Sequence, residues 1–451
     1  MESEKPYKKY YSYIFIFFYL IEGFVQGIPF LVFPSYLADI LGNQYNISLW
    51  LIVSAIGNIP WAIKLIVGLF NDRYTSKRFG NRFPWIFSFG IFGAVWWFLL
   101  SFYLPTDQTI YSFLALYYFM TALGIAFADT ALDGLILDVT PKEKLGRIQG
   151  YTWTMLLLGM GAGGMLLGLL FLAIDMMNIL FILTGILTII ACFLPYYIKE
   201  PELKEIDKTK WNKNLLSVFT KKKNWKVFSY TFFGAIQAVM ILTFFNYVIL
   251  IGLGVIDVQE TILSIIQGDA VSLLGWSSIF YLLNGIGTVV GSLIAGKFGD
   301  ISRRKTVSYV YLIYIPFLLI SVLPFILTDL YVIALIFGIL FQILFGAVQG
   351  ALVVSNQTVR GDLSKNNYPN LKSTYYALLV SFSNGGQNFG TLLGSWLFTF
   401  FAIFIGSFNL IYFFISAFCG LSLLVSFFLF RTIDPKDYEF KHLFKEEVFL
   451  A

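Results

Sequence analysis

The stretch GLFNDRYTSKRFGNR, residues 68–82, closes the second long apolar run of the chain, and GKFGDISRRK, residues 296–305, closes the eighth. In the first, Gly68 is followed by Asp72 and then by Arg73, Lys77, Arg78 and Arg82. In the second, Gly296 is followed by Asp300 and then by Arg303, Arg304 and Lys305. A glycine, an aspartate and a basic cluster at the same point of two apolar series mark an internal duplication. The chain reads as two copies of one membrane-embedded bundle.

Composition leads the same way. With 58% hydrophobic and 13% charged residues and a mean hydropathy of +0.76, too little polar surface remains to coat a soluble globule. Stretches able to cross a hydrocarbon core of ~30 Å run at roughly residues 13 to 41, 48 to 70, 84 to 104, 110 to 137, 149 to 174 and 177 to 198. A second series follows at roughly 227 to 253, 271 to 299, 306 to 327, 330 to 355, 373 to 402 and 408 to 431. The expected fold is therefore an all-α integral membrane protein, twelve transmembrane helices arranged as two pseudo-symmetric six-helix bundles. Residues 1–198 form the first bundle, 199–226 a basic linker, 227–431 the second bundle and 432–451 a tail.

Positive flanks resist translocation, so the distribution of bases sets orientation. Except for Lys64, every Lys and Arg falls in the tails, in segments after even-numbered spans or, as Lys297 and Arg431, at the very end of an even-numbered span. The alternate loops carry only acids, among them Asp107, Asp175, Asp257, Glu260, Asp269 and Asp329. Both termini are expected on the cytoplasmic side of the cell membrane. The net charge of +5 thus reports topology and not a nucleic-acid partner, and no basic stretch carries the interleaved aromatics of one.

The linker, with Lys221, Lys222 and Lys223, suits a solvated segment lying near anionic headgroups. Cys192 and Cys419 both lie in apolar runs, as small packed residues and not as a disulfide pair. The single histidine, His442, is in the tail, which excludes His-based metal sites and Ser-His-Asp chemistry. No metal, cofactor or enzymatic constellation is expected. The first apolar run lacks a following small-residue cleavage site and reads as a retained helix.

Lipid offers no hydrophobic drive between helices, so small residues that let backbones approach mark the packing faces. Gly159, Gly163, Gly164 and Gly168 stud the fifth span, Gly386, Gly390 and Gly394 the eleventh, and Gly287 and Gly291 the eighth. Such faces hold helices together and also allow paired helices to slide or rock at the seam between halves.

Charges at membrane depth are expensive, about 2.5 to 3.5 kcal/mol even on the most lenient scale. Glu22, Lys64, Asp129 and Asp133 carry that cost. At 1.5 Å of rise per residue, Glu22, Lys64 and Asp129 each lie about 12 to 14 Å from the same membrane face. Asp133 stands one turn from Asp129 on the same helix face, and the two carboxylates repel if both are ionised. A buried Lys64–carboxylate pair that only fixes packing is one reading. The other is a proton-coupling site, because three acids against one base leave surplus negative charge that proton uptake relieves.

The second half offers uncharged amides instead. Gln237, Asn246, Gln342, Gln349, Asn356, Gln357, Asn384, Gln387 and Asn388 lie in or directly at the end of spans 7, 10 and 11, and amides both donate and accept, which suits hydroxyl-rich or amide-bearing solutes. Gln237, Asn246, Gln349, Asn356, Asn384 and Asn388, with Gln26 in the first span, are the expected substrate-binding residues. Each could instead serve an interhelical hydrogen bond.

The Gly68–Arg82 and Gly296–Lys305 segments resemble the loop motif of the major facilitator superfamily, whose members are two six-helix bundles rocking about a central site. Within it, Gln26-Gly27-Ile28-Pro29, Pro60-Trp61 with Lys64, and the series Asp129, Asp133, Gly134, Asp138, Pro141, Glu143, Gly146 and Arg147 are similar to the muropeptide permease and acetyl-CoA transporter family. The folate and biopterin transporters share much of this pattern. Asp72, Arg73, Thr75, Gly80, Arg82, Pro84 and Trp85 also resemble the glycoside and hexuronide cation symporters and sucrose carriers. In melibiose-type members an aspartate that helps bind the coupling cation stands where this chain has Lys64, a departure that speaks against sodium. The absence of proline from Gly159–Gly164 departs from drug and proton antiporters. The resemblance implies that Asp72 lies near span 11 and pairs with Arg147, and that Gly68, Asp72, Arg73, Arg82, Arg147, Gly296, Asp300, Arg303 and Arg304 form a conformational switch between outward- and inward-facing states.

These readings converge on a secondary transporter that moves a small polar organic solute, a sugar or sugar-peptide, by proton-coupled symport, acting as a monomer. The alternatives are a facilitator or exchanger of an anionic solute and a non-transporting receptor on a carrier fold.

Overall fold

The computed structural model describes residues 7–64, 80, 82–140, 142–200, 216–258, 266–267, 270–299, 301–324, 331–368 and 372–439. Apart from the two-residue strands Asp257–Val258 and Ile266–Gln267, the regular structure of these residues is helical. The long rods are α1 (Lys9–Leu41), α2 (Ile47–Ile63), α3 (Phe83–Phe102), α4 (Ile110–Val139), α5 (Lys142–Met160, continued by Gly161–Leu167 and Gly168–Ala173) and α6 (Met177–Phe193). They are followed by α7 (Lys222–Gly252), α8 (Ala270–Gly299), α9 (Arg303–Ile320), α10 (Tyr331–Asn367), α11 (Lys372–Phe404) and α12 (Phe408–Arg431).

Nine helices among the described residues are long and apolar enough to cross a membrane, and Ile47–Ile63 is a shorter apolar helix. Large apolar side chains stand outward on them, with Leu166 72% and Leu293 70% exposed. Exposure on that scale needs lipid as the neighbour. The chain divides into two compact units, one of Met1–Glu205 with Ser264–Ser278, the other of Ile206–Leu263 with Ile279–Ala451.

Local chemistry fixes the helix ends. The Asn46 side chain accepts from the Leu49 amide at 3.1 Å and starts α2, and Ser302 accepts from Lys305 and starts α9. Before α4, Asp107 accepts from the hydroxyl and the amide of Thr109, contacts that hold its carboxyl below the usual carboxylate range. The tenth rod runs on to Asn367 although its apolar stretch ends near residue 355, because polar residues of its last turns find partners inside the second unit.

In the first unit the glycines of α5 meet α1 backbone to backbone. A Cβ on Gly159 would strike the Leu20 carbonyl, and one on Gly23 the Leu156 carbonyl. Further along the same seam both helices widen to π-helical turns, Ile28–Val32 and Gly161–Leu167. There a Cβ on Gly164 would come within 2.7 Å of the Gly27 carbonyl.

In the second unit α11 meets α7 the same way, Gly386 on the Phe232 carbonyl and Gly390 on the Ile236 carbonyl. Gly287 and Gly291 of α8 pack on the Ile343 and Ala347 carbonyls of α10, while Gly346 and Gly350 return the contact onto Asn284 and Thr288. These glycine contacts join helices within a unit.

Candidate functional site

The first unit buries an ionic centre built from one face of α1, the end of α2 and the middle of α4. Tyr19, Glu22 and Gln26 follow one another at helical spacing on α1, and Asp129 and Asp133 do so on α4. Lys64, at the end of α2, places its ammonium 3.1 Å from Asp129 Oδ2 and 5.7 Å from the centre of the Trp61 ring. Tyr19 donates its hydroxyl to Asp133 Oδ1 at 2.5 Å, and the Gln26 amide donates to Glu22 Oε1 at 2.8 Å. Glu22 and Asp129 are each 3% exposed. Glu22 lies within electrostatic reach of Asp129, Lys64 and Asp133.

All four ionisable residues singled out from the sequence thus share one centre, joined by Gln26. Its charge does not close. Among the described residues one ammonium faces three carboxyl groups, and two buried oxygens, Glu22 Oε2 and Asp129 Oδ1, accept no hydrogen bond. A buried acceptor left bare costs about 1 to 3 kcal/mol, more when charged. A proton on one of these carboxyls removes a charge and supplies a donor.

At one end of each unit lies a clamp that the sequence signalled only in part. In the first unit Arg82 Nε contacts Asp138 Oδ2 of α4 at 3.0 Å. The Glu200 carboxylate, after α6, accepts from the backbone amides of Arg82 and Phe83 at 3.0 to 3.1 Å, satisfying the open start of α3. Gly134 leaves room for the guanidinium, since a Cβ there would stand 2.8 Å from Arg82 Cζ.

The second unit repeats the arrangement. Arg303 Nε contacts Asp362 Oδ2 of α10 at 3.0 Å, and Glu439, after α12, accepts from the amides of Arg303 and Arg304 at 3.1 and 2.8 Å and from the Ser302 hydroxyl at 2.9 Å. Of the other expected switch residues, Gly68, Asp72, Arg73 and Asp300 and the side chain of Arg147 lie outside the described residues. Gly296 is described, and a Cβ there would meet nothing within 4 Å.

The amides of the second unit fall into two groups. Gln237 accepts from the Tyr314 hydroxyl at 2.8 Å and is buried. Asn356 accepts from Tyr230 at 2.5 Å and donates to Tyr311 at 3.4 Å, in a chain that continues to Ser426. Asn246 is buried at 4% exposure. Gln349, which donates to the Ala238 carbonyl at 3.2 Å, is half-buried, as are Asn384 and Asn388.

The Major Facilitator Superfamily model matches residues 15–268. The chain belongs to this superfamily. No curated relative matches it at a significant level. Among solved structures, this superfamily member is similar in fold to an inward-facing, unoccupied bacterial homologue of the human lysosomal transporter Spinster, at 13% identity and a TM-score of 0.62 over 96% of this chain and 99% of that one. It is similar to a point mutant of the nucleoside transporter NupG, at 13% identity and a TM-score of 0.62 over 94% of this chain and 100% of that one. It is also similar to a D-xylose-proton symporter, at 15% identity and a TM-score of 0.64 over 93% of this chain and 97% of that one. The chain is a multi-pass membrane protein of a transporter family, and its activity is secondary transport and not enzymatic catalysis.

Sequence reasoning missed Tyr19, Glu200, Asp362 and Glu439. Tyr19 stands one helical turn from Glu22 and was findable by periodicity. The two glutamates act on backbone amides more than a hundred residues away, and no local pattern announces that.

Proposed function

We propose that this protein is a proton-coupled symporter for a small polar organic solute, a sugar or sugar-peptide, that spans the cell membrane twelve times with both termini in the cytoplasm. The observation that carries the reading is the unbalanced centre of Lys64, Asp129, Asp133 and Glu22. With Asp129 ionised, Lys64 ties α2 to α4. With Asp129 protonated the ammonium is free to pair with Glu22 of α1, so protonation changes which helices are tied, whereas a move to Asp133 would keep α2 on α4.

The half-buried amides Gln349, Asn384 and Asn388 support solute recognition by hydrogen bonds, with Gln237, Asn246 and Asn356 shaping their surroundings. The likeness in fold to a D-xylose-proton symporter agrees with this reading. So do the motifs shared with the muropeptide permease and acetyl-CoA transporter family. The paired clamps, with Gly68, Asp72, Arg73, Arg147, Gly296 and Asp300, would then act as the switch of alternating access.

The test is uptake into proteoliposomes with and without an imposed pH gradient. The solute is taken from a thermal-shift screen of sugars, muropeptide fragments, acyl-CoA and pterins. Asp129→Asn and Glu22→Gln should each abolish pH-driven accumulation while leaving solute counterflow. If both variants still accumulate solute uphill, the coupling assignment is wrong.

A further inference from the structure

Arg360 lies in α10 two residues before the clamp aspartate Asp362, yet it belongs to neither clamp. It is 7% exposed. Its Nη2 donates to the Ser383 hydroxyl of α11 at 3.1 Å, and its buried Nε has no hydrogen-bond partner among the described residues. Among the described residues no carboxylate pairs with it, and the nearby acid, Asp362, is paired with Arg303.

The groups that face it electrostatically are the phenols of Tyr230, Tyr376 and Tyr311. Phenols are neutral at physiological pH and cannot balance a guanidinium. A buried charge without a counter-ion costs several kcal/mol. The site beside it is not sealed, because Ser383, which it contacts, and Gln387, one turn further on the same face of α11, are both half-buried.

We propose that Arg360 and Ser383 form a binding site for the anionic group, a carboxylate or a phosphate, of the transported solute. The fork of Nε and Nη2 matches two oxygens of either group. Ser383, already at hydrogen-bond distance from Nη2, adds a donor to the same oxygens. The inference rests on the transport reading and narrows it, since the solute cannot then be a neutral sugar.

Purified full-length protein is to be tested by thermal shift and titration against glucose, glucuronate and glucose 6-phosphate. The charged members should stabilise the protein and glucose should not. Arg360→Gln should weaken their binding by at least about tenfold, and Arg360→Lys, which keeps charge but loses the fork, should fall between. Two results overturn the proposal: anions that bind no better than glucose, or a monodisperse Arg360→Gln protein that binds them unchanged. If Arg360→Gln does not yield monodisperse protein, Arg360→Lys decides, and undiminished anion binding in it overturns the site.

A lipid phosphate could satisfy the same guanidinium. Stabilisation by phosphatidylglycerol with none by the soluble anions would overturn the assignment to solute. Uptake driven by a pH gradient and lost in Asp129→Asn tests the transport reading separately, and it can survive the failure of this one.

Discussion

The two units carry the same clamp and different centres. Arg82 with Asp138 and Arg303 with Asp362 meet through the same atoms at 3.0 Å, and each is backed by a glutamate on the amides that open the next helix. The buried chemistry of the first unit is ionic, and that of the second is a set of amides and phenols with one arginine. The clamp answers a need common to both repeats, since every helix start leaves open amides whatever the solute. The centres answer to no such shared need, and there the two units differ.

The largest difference should appear when the central cation of each unit is replaced by methionine. In the first unit Lys64→Met leaves Asp129 buried without its partner, and a loss of about 3 to 5 kcal/mol is expected. Thermal unfolding of the purified protein would show it, and Asp129→Asn in the same chain should restore most of the loss. A rescue that does not appear would mean that the pair is not the unit of stability. Arg360→Met, by contrast, removes a cation that has no carboxylate partner among the described residues, so without ligand its melting temperature should stay level or rise.

Next in size are the clamps. Arg82→Gln and Arg303→Gln each remove a guanidinium from a partly buried pair, and a cost of about 2 kcal/mol is expected for both. Equal losses would support repetition of function as well as of form. A turnover defect confined to one of them would show that the clamps have diverged too.

The order of the spans and the glycine faces were legible because lipid solvation and close helix packing each leave a periodic mark on the chain. Gly159, Gly386 and Gly287 meet partner backbones as their spacing implies. The buried ions were legible because they stand out against apolar runs, and the structure joins Glu22, Lys64, Asp129 and Asp133.

Arg360 was not legible. Hydropathy ends the tenth span near residue 355, and everything after it reads as loop. The interior of the unit solvates polar groups with its own hydroxyls and phenols, so the helix continues to Asn367 and carries the arginine inside. The partners of Gln237 and Asn356 were hidden for a similar reason: they are the tyrosines Tyr314, Tyr230 and Tyr311, which composition counts as aromatic and apolar.

The smallest effect separates the two clamps. Ser302 begins α9 with a hydroxyl that accepts from the Lys305 amide at 3.3 Å and donates to Glu439 at 2.9 Å. The residue at the matching start of α3 is Arg82, whose side chain makes no cap, and Glu200 accepts there from the backbone amides of Arg82 and Phe83. Ser302→Ala should therefore cost about 1 kcal/mol, the usual worth of an N-cap, and it should make the second clamp more dependent on Glu439. Glu439→Gln ought then to lower the melting temperature further in the Ser302→Ala background than in the native chain. Additive losses would show that hydroxyl and carboxylate cap α9 independently and that the second clamp is no more cooperative than the first.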